Sequence, residues 1–350
     1  MYNKIGLTGF FLFLFFLNFW IILSGLANGF IYINWTLLFL SATVFVNSQF
    51  WKVSEHRNNI LYLMLLSSLV FLGFLTISIF PSLLVFSGER ITVFNYDLNL
   101  LGYTLVYIFV LVLYYVIKRN KYYLLLINLY ILLLVFVTGS RSALIILAFV
   151  SFVAIFLYLG KKRIGYAILV LSVFVFVFFL LIRLPVFETL YSRFLALIGL
   201  GNNGDLSANF RFLYVQQGIE LISNRMTFGY GGDFQFPKFS FDGHFSHNNI
   251  IEIAFNYGLT FLLVYECMIL VMLFRLFFTD SRDKSLYISF IVVFLLVQFF
   301  YPNFTLKTDM MILGLVFSYL PERKVKINYL EQGNSVGKLV EKQDSASEVT

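Results

Sequence analysis

Charge is scarce in this sequence: 12% of its 350 residues are Asp, Glu, Lys or Arg, while 60% are hydrophobic. No soluble domain can bury that much apolar surface, so the bilayer has to act as solvent. Cysteine is nearly absent. The one present, Cys267, lies in an apolar run, so it can form no intramolecular disulfide and reads as a small core hydrophobe. No small-residue cleavage site follows the first apolar run, which therefore reads as a retained helix. The runs lack the period-two alternation of a membrane barrel, and there is no internal repeat. Also missing are a P-loop, a Gly-rich nucleotide fingerprint and a G-x-S-x-G elbow. No Asp-x-Asp is present of the kind that holds a metal-bound sugar nucleotide, and Asp280 and Asp283 read as a solvated cluster in a short loop.

What the sequence does have is a succession of apolar runs. About 20 apolar residues cross the hydrocarbon core, and ten segments qualify: 6–27, 30–47, 59–80, 98–117, 122–138, 142–159, 164–184, 248–274, 285–301 and 305–320. The fold expected is all-α and polytopic. Residues 1–184 supply seven transmembrane helices, 185–247 an outer loop with short helices, 248–320 three more transmembrane helices, and 321–350 a polar, poorly ordered tail.

Lys and Arg set the orientation. With the N-terminus in the cytoplasm, the inner segments carry Lys4, Lys52, Arg57, Lys118, Arg119, Lys121, Lys161, Lys162, Arg163, Arg275, Arg282 and Lys284, and the tail adds Arg323, Lys324 and Lys326. The short outer loops hold Arg90, Arg141 and Lys307. The surplus of 25 basic over 18 acidic residues is thus topological, and it requires no nucleic acid as partner. Both termini fall in the cytoplasm.

The connection from Pro185 to His247, about 60 residues, is long enough to be functional or disordered. Its Phe, Tyr and Leu content argues for structure. Phe187, Leu190, Tyr191, Phe194 and Ile198 share one helical face, as in a helix lying along the outer leaflet. A turn follows, then a second helix with Ser207 as its N-cap.

Several residues in and around this loop could carry chemistry. Arg141, in "TGSRSALI", is either an interfacial anchor whose head snorkels to water or an anion site. Arg211 falls in the first turn of the helix capped by Ser207. There it opposes the helix dipole by roughly 0.3–1 kcal/mol unless an anion sits at that end; otherwise it is a surface arginine. His244 and His247 precede the eighth span, where Asn248 and Glu252 share a helix face and Glu252 enters the membrane. They read as polar interfacial histidines or as functional groups. A metal site from Asp242, His244 and His247 would lack a fourth ligand.

"TGSRSALI", the loop "SRFLALIGLGNNGDLSANFRFLYVQQGIELISNRMTFGYGGDFQF" and "SHNNIIEIAFNYGL" are, in that order, similar to segments of bacterial O-antigen polymerases and O-antigen ligases. The resemblance covers roughly residues 122–275. It implies a GT-C-like membrane glycosyltransferase without cofactor or metal, working at the outer face of the inner membrane. Its donor would be an oligosaccharide on undecaprenyl diphosphate, transferred with inversion to a hydroxyl of another glycan. Arg141, Arg211 and His247 take the family's functional positions, and Gly229, Gly231, His244, Asn248 and Glu252 are expected around the substrate. The partners implied are lipid-linked oligosaccharides, the bilayer and a chain-length regulator protein. Two guanidiniums suit a departing diphosphate, a histidine suits removal of a hydroxyl proton, and the aromatic loop suits sugar rings. A polymerase is the leading reading, a ligase onto lipid A–core the second, and a flippase or transporter the third. The third would call for paired repeats and broken helices at the midplane. The chain departs from the family in its short loop and in Glu252 and Asn256 within the eighth span.

Overall fold

The computed structural model describes residues 5–29, 54–85, 97–159, 206–232, 235–240, 243–278, 283–301 and 307–319, with isolated positions at 165, 168 and 172. The described residues contain helices and no strand. The helices are α1 (Ile5–Ala27), α2 (Ser54–Val85), α3 (Leu98–Lys118), α4 (Leu125–Thr138), α5 (Arg141–Leu159), α6 (Leu206–Asn224), α7 (Phe236–Phe239), α8 (Asn249–Phe277), α9 (Lys284–Gln298) and α10 (Lys307–Tyr319). Apolar segments in lipid must satisfy their own backbone, which helices do. Among the described residues, four helical stretches, 58–79, 98–118, 141–158 and 249–277, are long and apolar enough to cross a membrane, and shorter apolar helices lie at 12–27, 122–138 and 284–298. The spans expected at 30–47 and 164–184 lie outside the described residues but for those three positions. So do the first loop helix, the turn after it and the tail.

α3 is the central helix: it packs on α4, α5 and α9, and nearly all of its residues are buried. α2 instead presents Leu63, Phe74 and Ile77 outward, as a lipid-facing helix does. α9 packs on α5 on one side and α8 on the other, with α10 alongside. Polar contacts sort the helix ends into two groups. At one end Arg119 pairs with Asp283 at 3.5 Å and donates to Asn58 at 2.8 Å, and the Tyr114 hydroxyl bonds Asp283. At the other, the Tyr103 hydroxyl lies 2.7 Å from Ser142 Oγ, and its ring lies 6.0 Å from that of Tyr301. These contacts join the start of α2 to the end of α3 and the start of α9, and the starts of α3 and α5 to the end of α9. Helices that cross one layer alternately have this parity.

Cys267 proves exposed rather than part of the core. It falls on the stripe of Leu263, Leu270 and Phe274, which points outward from α8. A small apolar residue is as well solvated by lipid as by protein, so an apolar run does not tell the two apart.

α8 spans 29 residues, about 43 Å, well beyond the roughly 30 Å hydrocarbon core. It is broken at Gly258, whose backbone is non-helical at φ 86°, ψ 167°. From Ile251 to Gly258 every residue is buried, whereas from Leu259 onward large apolar side chains face outward. The upper segment is covered by α6, α7 and the loop between them.

Candidate active site

α8 begins at a compact polar clamp. Asn248 is extended (φ −141°, ψ 117°), and its side chain accepts from the Ile251 amide at 3.2 Å, capping one of the free N–H groups of the first turn. Ser246, almost fully buried, donates through Oγ to the Asn248 carbonyl at 3.0 Å and accepts from its amide at 3.2 Å. Glu252, also buried, accepts the Ser246 amide on Oε1 at 2.8 Å. A carboxylate in the first turn is favoured by the helix dipole. Between Ser246 and Asn248 sits His247, at φ 53°. A side chain other than glycine rarely adopts that conformation, and it persists where neighbours impose it. His247 is half-buried, and its ring lies 6.3 Å from that of Tyr214 on α6.

Tyr214 brings Arg211 into the same region. Arg211, Tyr214, Gly218 and Ile222 follow one another at helical spacing along the face of α6 that packs on α8. Gly218 permits the close approach, because a Cβ there would collide with Ile251 Cγ2. Tyr214, Ile222, Phe236, Ile251, Ala254 and Phe255 form one buried cluster. Arg211, half-buried, lies one turn before Tyr214 on this face. The helix starts at Leu206, so Ser207 lies within it and Arg211 stands in the second turn rather than the first. The dipole fades within the first turn, so its opposition to the guanidinium is weaker there than the spacing predicts.

Gly229 and Gly231, expected around the substrate, are buried against the break in α8. The amides of Tyr230 and Gly231 donate to the carbonyls of Phe255 and Asn256, each at 2.8 Å, and the Leu259 amide donates to Met226 O at 2.7 Å. An interrupted helix leaves such groups without partners, and the loop supplies them. Gly229 has φ 63°, and a Cβ on it or on Gly258 would collide with the opposing backbone. The end of α1 joins the same knot. Trp20 Nε1 donates to Tyr257 O at 2.9 Å, Ser24 Oγ bonds Phe228 O and Asn256 O, and Asn28 bonds Gly229 O and Arg225.

Arg141 is the first residue of α5 and half-buried. The small polar residues around it build a corner. Gly139 ends α4 at φ 62°, Ser140 Oγ accepts from the Ala143 amide at 3.4 Å and donates to Asn99 Oδ1 at 3.0 Å, and Ser142 meets Tyr103. Because α5 and α8 flank α9 with the same sense, Arg141 and His247 begin their helices at the same end of the molecule. His244 is exposed, and Asp242 lies outside the described residues. Among the described residues no three His, Cys, Asp or Glu groups converge as metal ligands.

Sequence spacing singles out Arg141, Arg211, His247 and Asn248, but not the role of Asn248 as the N-cap of α8. It misses Tyr214, whose position among apolar residues reads as core, and it misses the contribution of α1. Gly258 in "NYGL" is the one local signal of the break.

Residues 126–265 match the family model described as O-antigen ligase, the family group whose segments the sequence resembles. The matched stretch runs from α4 into the middle of α8 and contains Arg141, Arg211, Gly229, Gly231, His244, His247, Asn248 and Glu252. No curated protein and no solved structure gives a match.

Proposed function

We propose that this chain, a membrane protein whose residues 126–265 match the O-antigen ligase family, is a polymerase of polyprenyl-diphosphate-linked glycan repeat units. The observation that carries the reading is the approach of His247 to Tyr214 on α6, one helical turn from Arg211, within the stretch that matches the family model. In the reaction, an acceptor hydroxyl oxygen bonds to the anomeric carbon of the donor sugar as the bond from that carbon to the diphosphate oxygen breaks. His247 takes the hydroxyl proton, and the electron pair leaves on the diphosphate. The leaving group is a weak base that needs charge neutralisation more than a proton. Arg211 and Arg141 supply it through planar forks that match phosphate oxygens. No step calls for a divalent ion, in keeping with the missing Asp-x-Asp. The excess of Lys and Arg at the Arg119–Asp283 end makes that end cytoplasmic, so the site faces the outer side of the inner membrane.

Transfer of finished polymer onto lipid A–core is the second reading, favoured by the description of the matched family. Purified protein in liposomes, given lipid-linked repeat units and excess chelator, should lengthen the glycan with no lipid A–core present. A product that forms only once lipid A–core is added would make the protein a ligase. His247→Ala should still bind the donor lipid while transfer falls by about 10²–10⁴. Arg211→Lys should lose about 10²–10³, since lysine keeps the charge and loses the fork. Full activity of both variants would overturn the assignment.

A further inference from the structure

Phe239, at the end of α7, is 43% exposed although it belongs to an aromatic stack. Its ring meets Tyr230 at 4.7 Å and 54°, and Phe255 at 5.5 Å and 63°. Tyr230 and Phe255 are themselves stacked at 4.3 Å, and the Arg225 guanidinium covers Tyr230 at 4.8 Å. Phe239 is thus held by tilted neighbours while part of its surface stays open. Gln217 on α6 fixes its backbone, with Nε2 donating to the Phe239 carbonyl at 2.9 Å. Gln217 is three residues from Tyr214, the neighbour of His247, a rise of about 4.5 Å along α6. Lys238, the residue before Phe239, is exposed and donates to Gln235 Oε1 at 2.8 Å.

α6 also exposes Phe212, Leu213 and Ile219, but the backbone beside Phe239 argues against hydrocarbon as the cover of its ring. Phe239 packs at the level of Phe255, above the break at Gly258, and the outward apolar stripe of α8 begins below it at Leu259. The segment beside it, from Arg225 to Gly232, is irregular backbone, which is not left open to hydrocarbon. A partly open aromatic face, with the exposed Lys238 adjacent in sequence, fits a pyranose. The C–H face of the sugar meets the electron-rich face of the ring, and its hydroxyl rim finds a donor.

We propose that Phe239, packed on Phe255 about two turns into the helix that follows His247, is the stacking face of an acceptor-glycan subsite that holds the acceptor for attack. The proposal rests on the glycan-polymerase reading for its role and on the geometry for its location. It is tested on full-length protein in nanodiscs with the repeat-unit oligosaccharide freed of its lipid by mild acid. In saturation-transfer NMR, wild type and His247→Ala should both transfer magnetisation to the sugar C–H protons. Phe239→Ala should weaken binding about tenfold, and Phe239→Tyr should restore it. In the transfer assay Phe239→Ala should raise KM for acceptor with little change in kcat or in undecaprenyl diphosphate binding. Absence of binding to wild type, or equal binding by Phe239→Ala or Phe239→Leu, overturns the subsite. Binding that depends on Phe239 in a protein that joins no glycan overturns the polymerase reading and leaves the subsite standing.

Discussion

His247 is held by its neighbours rather than by its own preference. A left-handed residue other than glycine costs on the order of 1–3 kcal/mol, which the surroundings must offset. The contact that fixes the turn is the bond from the Ser246 amide to Glu252 Oε1, six residues on, by which a carboxylate in the first turn of α8 reaches back to the loop before its own helix. Glu252 is therefore a positioning residue, and its chemistry can be separated from its geometry. Glu252→Gln keeps an oxygen that can accept from Ser246, whereas Glu252→Ala leaves a buried amide without a partner. Glycan transfer should survive largely intact in the Gln variant and fall by about 10²-fold in the Ala variant, with donor-lipid binding unchanged in both. Single-turnover rates with bound donor read the difference. A Gln variant as inactive as the Ala variant would make the carboxylate itself the proton acceptor. Gly139, Ser140 and Ser142 likewise hold the corner between α4 and α5, and Arg141 opens α5 at that corner.

At the scale of elements, α8 is two pieces. Its lower part, residues 259–277, is about 28 Å long and suffices to cross the hydrocarbon core by itself. Its upper part belongs with α6 and α7, so Glu252 and Asn256, which the apolar run assigns to the span, sit in a protein-covered segment. Gly258 makes this division possible. Gly258→Ala would put a Cβ at φ 86° against the Thr227 carbonyl, and backbone strain alone costs roughly 1–3 kcal/mol. Gly73, inside α2 with nothing near its Cβ position, is the control, where alanine should be neutral or stabilising by up to about 1 kcal/mol. Thermal unfolding in detergent should drop for Gly258→Ala and hold for Gly73→Ala, and equal behaviour would remove Gly258 as the hinge point of the site. The helices themselves are legible from sequence because about 20 apolar residues form a local signal. The break is hidden because "NYGL" sits in a run that stays apolar across it. The contacts from α1 are beyond any local pattern, since Ser24 and Asn256 are 232 residues apart.

For the whole molecule the question is which side each group of helix ends occupies. The structure ties Asn58, Arg119 and Asp283 together at one end and Tyr103, Ser142 and Tyr301 at the other. His247 shares the second end, because α8 and α9 are antiparallel neighbours joined by a short connection. Lys118, Arg119, Lys121, Arg275 and Lys284 gather at the first end, and the positive-inside rule predicts that this end is cytoplasmic. A single substitution, Cys267→Ala, yields a chain without cysteine, in which labelling sites can be introduced one at a time. Lys121 and Ser223 are exposed, and they lie at opposite ends. A membrane-impermeant maleimide applied to intact cells with a permeable outer membrane should label Ser223→Cys at once. It should label Lys121→Cys only after the inner membrane is opened. Native Cys267, on the outward stripe of α8 below Gly258, should resist the reagent under both conditions and react after denaturation. Labelling of Lys121→Cys from outside, with Ser223→Cys protected, would invert the molecule. His247 and Phe239 would then face the cytoplasm, away from the compartment the polymerase reading requires.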